Sequence, residues 1–433
     1  MQNLFNELTA LKITGNVSDN CESKTVLEIN RQALALRRAN PQLRQQKIAL
    51  PYDNIINFVT ELVAFDGWCS AIYLCPPLVK IPENVLLWSK NDQIGADYCE
   101  ETTGSFSYAL TQTSWYLATS GTTGEPKWCE HSFASLSVGI KQSDKLQKLC
   151  WGLLYQPFRF AGLQVVLQAL LSGAELIDAS KGEPRAKLNI LQGKSVSAIS
   201  ATPSLWRQLL MTKQLGSLTL KNLTLGGEIV DQVLLDNLKK LFPQAKLRHI
   251  YASTEAGLGF VVSDGQAGFP RKWLEQSTHL PVKLKVADNK HLLIKPRHGN
   301  AQTMLQIADG QGFIDTFDEV QVTDERVFFL GRATGVINVG GNKVYPEKVE
   351  QVLLQCPSIG QAKVYAKKSA LMGELVVADV TVIEDADQYS VKQELLKICK
   401  TQLLRFEIPT KISIVDNIIC EPTGKVNRKL QHG

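Results

Sequence analysis

Residues 119–127, Thr-Ser-Gly-Thr-Thr-Gly-Glu-Pro-Lys, constrain the fold more than any other stretch of this chain. They follow a short apolar run, Trp115-Tyr116-Leu117-Ala118, which reads as a buried strand. The loop is therefore expected at a strand end, where open α/β sheets bind ligands. Gly121 and Gly124 let the backbone approach an anion closely, while Ser120, Thr122 and Thr123 bring hydroxyl donors and Lys127 a positive charge. The stretch reads as a phosphate cradle. It is not the common one, because two residues separate its glycines and Lys127 follows Pro126. A Walker loop wants four residues there and a Gly-Lys-Ser/Thr ending, so a P-loop NTPase is disfavoured. A polar turn is the plain alternative for any Gly/Ser/Thr cluster.

The surrounding pattern alternates. Apolar runs at 48–50 and 71–74 flank a helical spacing of Ile55, Ile56, Val59, Leu62 and Val63, which predicts a strand-helix-strand unit. Further strands are expected at 152–155, 174–177, 198–200, 223–225 and 247–251, with helices at 162–171, 184–191, 203–210 and 233–241 between them. This alternation predicts an α/β fold with doubly wound, mostly parallel sheets covered on both faces. Beyond Gly259 short strands and turns predict a β-rich subdomain. The last hundred or so residues predict a small α+β domain, with helices at 346–354 and 391–404 and strands at 361–365, 375–382 and 411–415. A boundary between a large domain, 1–331, and a small one, 332–433, follows.

Composition narrows the function. A hydrophobic share of 44% and a charged share of 21% are those of a soluble globular protein. The net charge of +5 is spread thinly with no long Lys/Arg run, which argues against a nucleic-acid partner. No secretory leader and no membrane span is expected. Nine cysteines stand singly, without Cys-x-x-Cys, so reduced thiols, no zinc and a cytoplasmic location are expected.

Four further strings follow the loop, each with an ordinary reading of its own. Gly226-Gly227-Glu228 reads as a turn, and Glu255 in Tyr251-Ala252-Ser253-Thr254-Glu255 as a surface helix start. Asp318, closing the run 312–318, and Arg332 after Gly331 read as an ion pair. Lys425 in Pro422-Thr423-Gly424-Lys425, eight residues before the chain end, reads as a solvated tail. In this order, and with the glycine-rich string 337–350, they resemble the adenylate-forming superfamily of acyl- and aryl-CoA ligases, peptide-synthetase adenylation domains and luciferases.

That resemblance implies roles. Residues Thr119 to Gly124, Lys127, Gly227, Glu228 and Tyr251 would bind ATP, Thr254 the phosphate, and Asp318 and Arg332 the ribose. Glu255 would help hold Mg²⁺, a hard ion that favours carboxylate and phosphate oxygens. Lys425 would be the catalytic lysine, Gly340, Gly341 and Lys343 would border the pantetheine arm of CoA or of an acyl carrier protein, and Gly335 would be the hinge of a rotating small domain. The acid pocket would include Phe158, Arg159, Gly162 and Ala252. A carboxylate attacking the α-phosphate of ATP is anion meeting anion, so positive charge and aligned donors are what the chemistry needs. The product would be an acyl-adenylate, from which a thiol displaces AMP.

Several positions depart from the family pattern. Gly335 stands where Asp or Lys is usual, Ala252 and Phe317 replace glycines, and Arg159 takes the place of a histidine. The short N-terminal part resembles the smaller stand-alone ligases, including the o-succinylbenzoate type and enzymes that load carrier proteins. The expected activity is AMP-forming activation of a small carboxylic acid, aryl or short to medium acyl, followed by thioester formation. Two other readings stay open: an amino-acid adenylating enzyme, for which 155–160 offers no Asp to hold an ammonium, and a non-catalytic nucleotide-binding protein. The oligomeric state is not legible.

Overall fold

The computed structural model describes residues 3–10, 15–89, 112–119, 127–297, 308–369, 372–383, 387–421 and 425–426. Within them the chain forms four sheets. The largest has eight strands in the spatial order Gly257–Val262, Lys246–Ser253, Asn222–Gly226, Ala198–Ala201, Cys150–Leu153, Glu175–Asp178, Asn16–Ser18 and Ser23–Thr25. Its interior pairings are parallel, and antiparallel strands close both edges. A second sheet runs Leu86–Leu87, Lys47–Pro51, Ala71–Cys75, Ser114–Ala118 and Trp128–Ser132, parallel except for its last strand. The two sheets share one core, in which Ile48, Trp115 and Leu117 of one meet Leu153 and Leu176 of the other through the helices Val26–Ala39, Ile55–Phe65 and Phe160–Ser172.

Local chemistry sets the helix ends. Asn54 accepts from the Asn57 amide, Thr202 from Leu205 with Pro203 at the first helical position, and Asp231 from Leu234. Each satisfies a backbone donor that the first turn would otherwise leave open. Helix Phe160–Ser172 ends on Gly173 at φ 71°, a left-handed cap. The strand that leads to the glycine-rich loop is tied to the core by Asp66, which is fully buried and accepts from Trp115 Nε1 at 2.9 Å and from the Leu4 amide at 2.7 Å. Arg37 donates to the carbonyls of Val63 at 3.0 Å and Asp66 at 2.6 Å from the neighbouring helix. Burial pushes Asp66 up to about 6, against the pull of these donors and of Arg37.

The third sheet is antiparallel, Phe269–Pro270, Arg326–Arg332, Ile314–Val322, His291–Pro296 and Val282–Val286, over a core centred on Phe260, Phe269 and Val327. The fourth joins Ile337–Val339, Asn342–Val344, Ile359–Ser369, Gly373–Val382 and Lys411–Ile414, and its core is drawn from residues 337–403 with Phe406, Ile408, Ile412 and Ile414 packed against it. The fold is therefore α/β with two mostly parallel sheets, a β-rich part and a small α+β domain at the C-terminal end.

Candidate active site

The strand Ser114–Ala118 turns into the glycine-rich loop, and the chain returns antiparallel as Trp128–Ser132. The loop is thus pinched at its neck, where the Thr119 amide donates to the Lys127 carbonyl at 2.8 Å and the Thr119 hydroxyl to the same oxygen at 3.3 Å. Ser120, Gly121, Thr122, Thr123 and Gly124 lie outside the described residues. Thr119 and Lys127 open onto a cavity of about 1600 Å³, floored by strand ends of the eight-stranded sheet and roofed in part by residues of the C-terminal sheet and of the loop that carries Lys425.

One end of this cavity is built from partnered polar groups. Tyr251 lies between the rings of Phe260 and Phe329, each with its centroid 5.1 Å away, and donates its hydroxyl to Asp318 Oδ2 at 2.6 Å. Arg332 Nε donates to Asp318 Oδ1 at 3.1 Å, so the carboxylate is fixed from both sides. Burial and the adjacent Asp318 charge push the Tyr251 hydroxyl well above its ordinary value, which keeps it a donor. Just before Asp318, Phe317 sits at φ 56°, a left-handed conformation costly for a side chain with a Cβ. Bonds from the Phe317 amide to Asp315 at 2.8 Å and from the Asp318 amide to the Thr316 hydroxyl at 3.2 Å hold it there.

The neighbouring strand end is held by His131, whose Nε2 donates to the Thr254 carbonyl at 2.7 Å. A carbonyl only accepts, so Nε2 carries the proton. Burial lowers the His131 pKa, against the opposing effects of this bond and of Glu255 and Glu130.

Lys425 enters the cavity from the C-terminal end of the chain. Gly227 stands at φ 84°, and a Cβ there would lie 3.5 Å from Lys425 Cε. The next residue anchors the lysine loop: Glu228 accepts from the Ser204 amide and hydroxyl, both at 2.9 Å, and from the Val426 amide at 3.1 Å. The Glu421 amide closes the loop onto the Lys425 carbonyl at 2.7 Å. Surrounding protein lowers the Lys425 pKa although water reaches the side chain, and Glu228 is the strongest charge opposing that shift.

The other end runs between the sheet face bearing Tyr155, Ser200, Thr224, Arg248 and Ala252 and helix Phe160–Ser172. On the helix, Gln164 donates to the Leu136 carbonyl at 2.8 Å, and Gln168 bonds both ways with the Lys141 backbone, at 2.8 and 3.3 Å. Arg159 lies at the helix start and donates Nη1 to the Ala118 carbonyl at 3.0 Å, while its buried Nε has no acceptor among the described residues.

The family model for AMP-binding enzymes matches residues 107–299, and that for the AMP-binding enzyme C-terminal domain matches residues 348–425. The chain belongs to the AMP-binding enzyme family. Among its relatives is a 2-succinylbenzoate–CoA ligase of Listeria innocua, 23% identical over 417 residues, which cover 92% of this chain and 80% of that protein. Another is a 3,4-dihydroxybenzoate–[aryl-carrier protein] ligase of Bacillus anthracis, 24% identical, covering 75% and 74%. Among solved structures, an anthranilate CoA ligase in complex with anthranoyl-AMP shares the fold at a TM-score of 0.77 and 15% identity, over 98% of this chain and 95% of that one. The o-succinylbenzoate CoA synthetase of Bacillus subtilis does so at 0.70 and 16%, over 99% and 98%.

Against the family pattern, one cavity gathers Thr119, Lys127, Gly227, Glu228, Tyr251, Ala252, Thr254, Glu255, Asp318, Arg332 and Lys425, together with Arg159 and Gly335. Two expected pocket residues are elsewhere. Phe158 is turned into the core, its ring 5.9 Å from that of Tyr52, because it lies on the inner side of the turn that starts the helix. Gly162 is buried against that same turn, where a Cβ would come 2.1 Å from the Gln156 carbonyl oxygen. Arg159, Phe160 and Ala161 line the cavity in their place. Gly340, Gly341 and Lys343 lie on an exposed hairpin outside the cavity. Gly335 faces open space, and its φ is not left-handed.

Sequence reasoning missed Arg248, Trp151 and the anchoring of Val426 by Glu228. The first left a signal: a charged residue between buried Leu247 and His249, in a strand expected to be covered on both faces.

Proposed function

We propose that the protein is an AMP-forming acid–thiol ligase that activates a carboxylic acid with ATP and passes the acyl group to CoA or to a carrier protein's phosphopantetheine. The observation that carries this reading is the entry of Lys425 into the cavity lined by Lys127, Thr254, Asp318 and Arg332, held there by the bond from Val426 to Glu228. Asp318, fixed by Tyr251 and Arg332, presents carboxylate oxygens suited to ribose hydroxyls, and Lys425 brings the charge that an attack of carboxylate on phosphate requires. The relatives' activities on aryl acids support an aromatic or short acid here.

Mg²⁺ fits as an ion carried by the nucleotide. Among the described residues no three His, Cys, Asp or Glu side chains are grouped to hold a metal, while exposed Glu255 lines the cavity and makes no hydrogen bond. One carboxylate plus phosphate oxygens is the donor set Mg²⁺ accepts. Glu255 would hold the ion, which would neutralise phosphate charge.

Residues 1–331 and 332–433 act as the large and small domains in this reading. The small one rotates about the segment containing Gly335, withdrawing Lys425 and bringing Gly340, Gly341 and Lys343 to the thiol. Pyrophosphate release from ATP with a panel of acids tests the first step. Lys425→Ala is expected to lower it about 10³-fold for every acid that the wild type accepts. Release that survives the substitution would remove the reading.

A further inference from the structure

The acid end of the cavity holds a cation with no counter-charge among the described residues. Arg248 lies on Lys246–Ser253, on the same face as Ile250 and Ala252 and in register with Thr224 of the next strand. It lines the cavity, and its buried Nε has no acceptor among the described residues. Among the described residues no acidic side chain is paired with it, and burial lowers its pKa. Its surroundings differ from those of Arg207, which also lines the cavity but is paired with Asp231.

Two other unpartnered atoms line the same end, Trp151 Nε1 and Arg159 Nε, and both are donors. Of the amides on the neighbouring helix, Gln168 is committed to the Lys141 backbone through both its nitrogen and its oxygen, and Gln164 donates to the Leu136 carbonyl. A buried guanidinium without an anion is costly, and a site that keeps one is complementary to a ligand that brings the charge.

Resting on the ligase reading, we infer that Arg248 sets the substrate class: the acid carries a second carboxylate at the end remote from the reacting one, and Arg248 holds it. Arg248 lies four residues before Ala252, about 13 Å along an extended strand. Even after the reach of the arginine, the two carboxyl groups of the substrate are separated by a ring or by several carbons. A fork of N–H donors favours a carboxylate over a hydroxyl or a methyl group, and an analogue lacking the acceptor leaves the donors desolvated and unpaired.

The experiment compares kcat/KM for pyrophosphate release with 2-succinylbenzoate and with 4-oxo-4-phenylbutanoate, which lacks the ring carboxylate. It also compares C6 to C10 dicarboxylates with monocarboxylates of equal length. The wild type is expected to prefer the diacid in at least one pair by about 10²-fold. Arg248→Met is expected to erase that preference, mainly through KM for the diacid, and Arg248→Lys to restore part of it.

Calorimetric titration of the preferred diacid, without ATP, reads the same contact independently of turnover. It is expected to give binding to wild type and none to Arg248→Met, with AMP binding and the melting temperature confirming that the variant is folded. Preference for monoacids in the wild type, a diacid preference retained in Arg248→Met, or its loss in Lys141→Ala instead would each overturn the inference. If diacids bind through Arg248 while no acid gives Lys425-dependent pyrophosphate release, the ligase reading fails and the recognition stands.

Discussion

The two ends of the cavity are finished to different degrees. Where the nucleotide is proposed to sit, three polar groups of the frame already have their counterparts: Asp318 between Tyr251 and Arg332, Glu228 between Ser204 and Val426, and the Thr254 carbonyl under His131. Where the acid is proposed to sit, Arg248, Trp151 and Arg159 keep buried N–H groups with no acceptor among the described residues. A site that handles the same cosubstrate in every turnover gains from preorganised donors, since no reorganisation is needed as charge develops. Donors left open are satisfied only by a ligand of matching polarity, and discrimination comes from that requirement. The contrast separates machinery from selection within one continuous pocket.

Breaking the finished end should cost every acid equally. Asp318→Ala removes the carboxylate that joins Tyr251 to Arg332, and adenylation is expected to fall about 10²-fold with the ranking of acids unchanged. The rise is expected chiefly in KM for ATP. If Asp318→Ala instead reordered the acids, the division between the two ends would collapse.

A smaller effect tests the strain stored beside that carboxylate. Phe317 holds φ 56° with its ring half exposed, 5.9 Å from that of His291. Glycine takes this conformation freely and alanine does not, so Phe317→Gly is expected to be more stable than Phe317→Ala by about 1 kcal/mol. Urea denaturation of the two variants measures the difference, and equal stabilities would mean that the turn relaxes. Because Asp318 stays paired, acid selectivity should be the same in both.

Much of this was legible in the sequence, for reasons that differ along the chain. The unit 47–75 showed itself because its helix is apolar on nearly every face and its strands are short buried runs between turn residues. The antiparallel strand Trp128–Ser132 did not, since Trp-Cys-Glu-His-Ser alternates weakly and its pairing depends on a loop whose geometry no local pattern encodes. Likewise, the motif carrying Lys425 was readable as a string, yet its anchoring needed Glu228, 198 residues away, to meet the Val426 amide. Phe158 and Arg159 are adjacent in sequence, and only the turn between strand and helix decided which of them faced the cavity.

Protonation offers the finest separation of the two ends. His131 and His249 are buried and donate to the carbonyls of Thr254 and Gln266, and burial lowers both pKa values below the ordinary 6.5. As pH falls below that value the unfolded chain takes up protons that the folded chain refuses. Stability present above pH 6.5 is therefore lost as pH drops through the lowered folded values. Asp66 works in the opposite direction, since burial has raised it to about 6 and its protonation in the folded state favours folding as pH falls. The melting temperature of wild type alone mixes these contributions, so the informative quantity is its difference from His131→Gln between pH 7.5 and 5.5. The variant is expected to lose less on acidification, and parallel curves would show that His131 does not report on the nucleotide end. Arg248 stays charged throughout this range, because even a buried guanidinium releases its proton far above it. The preference for a diacid should therefore hold steady from pH 7.5 to 5.5 while the frame around Thr254 weakens.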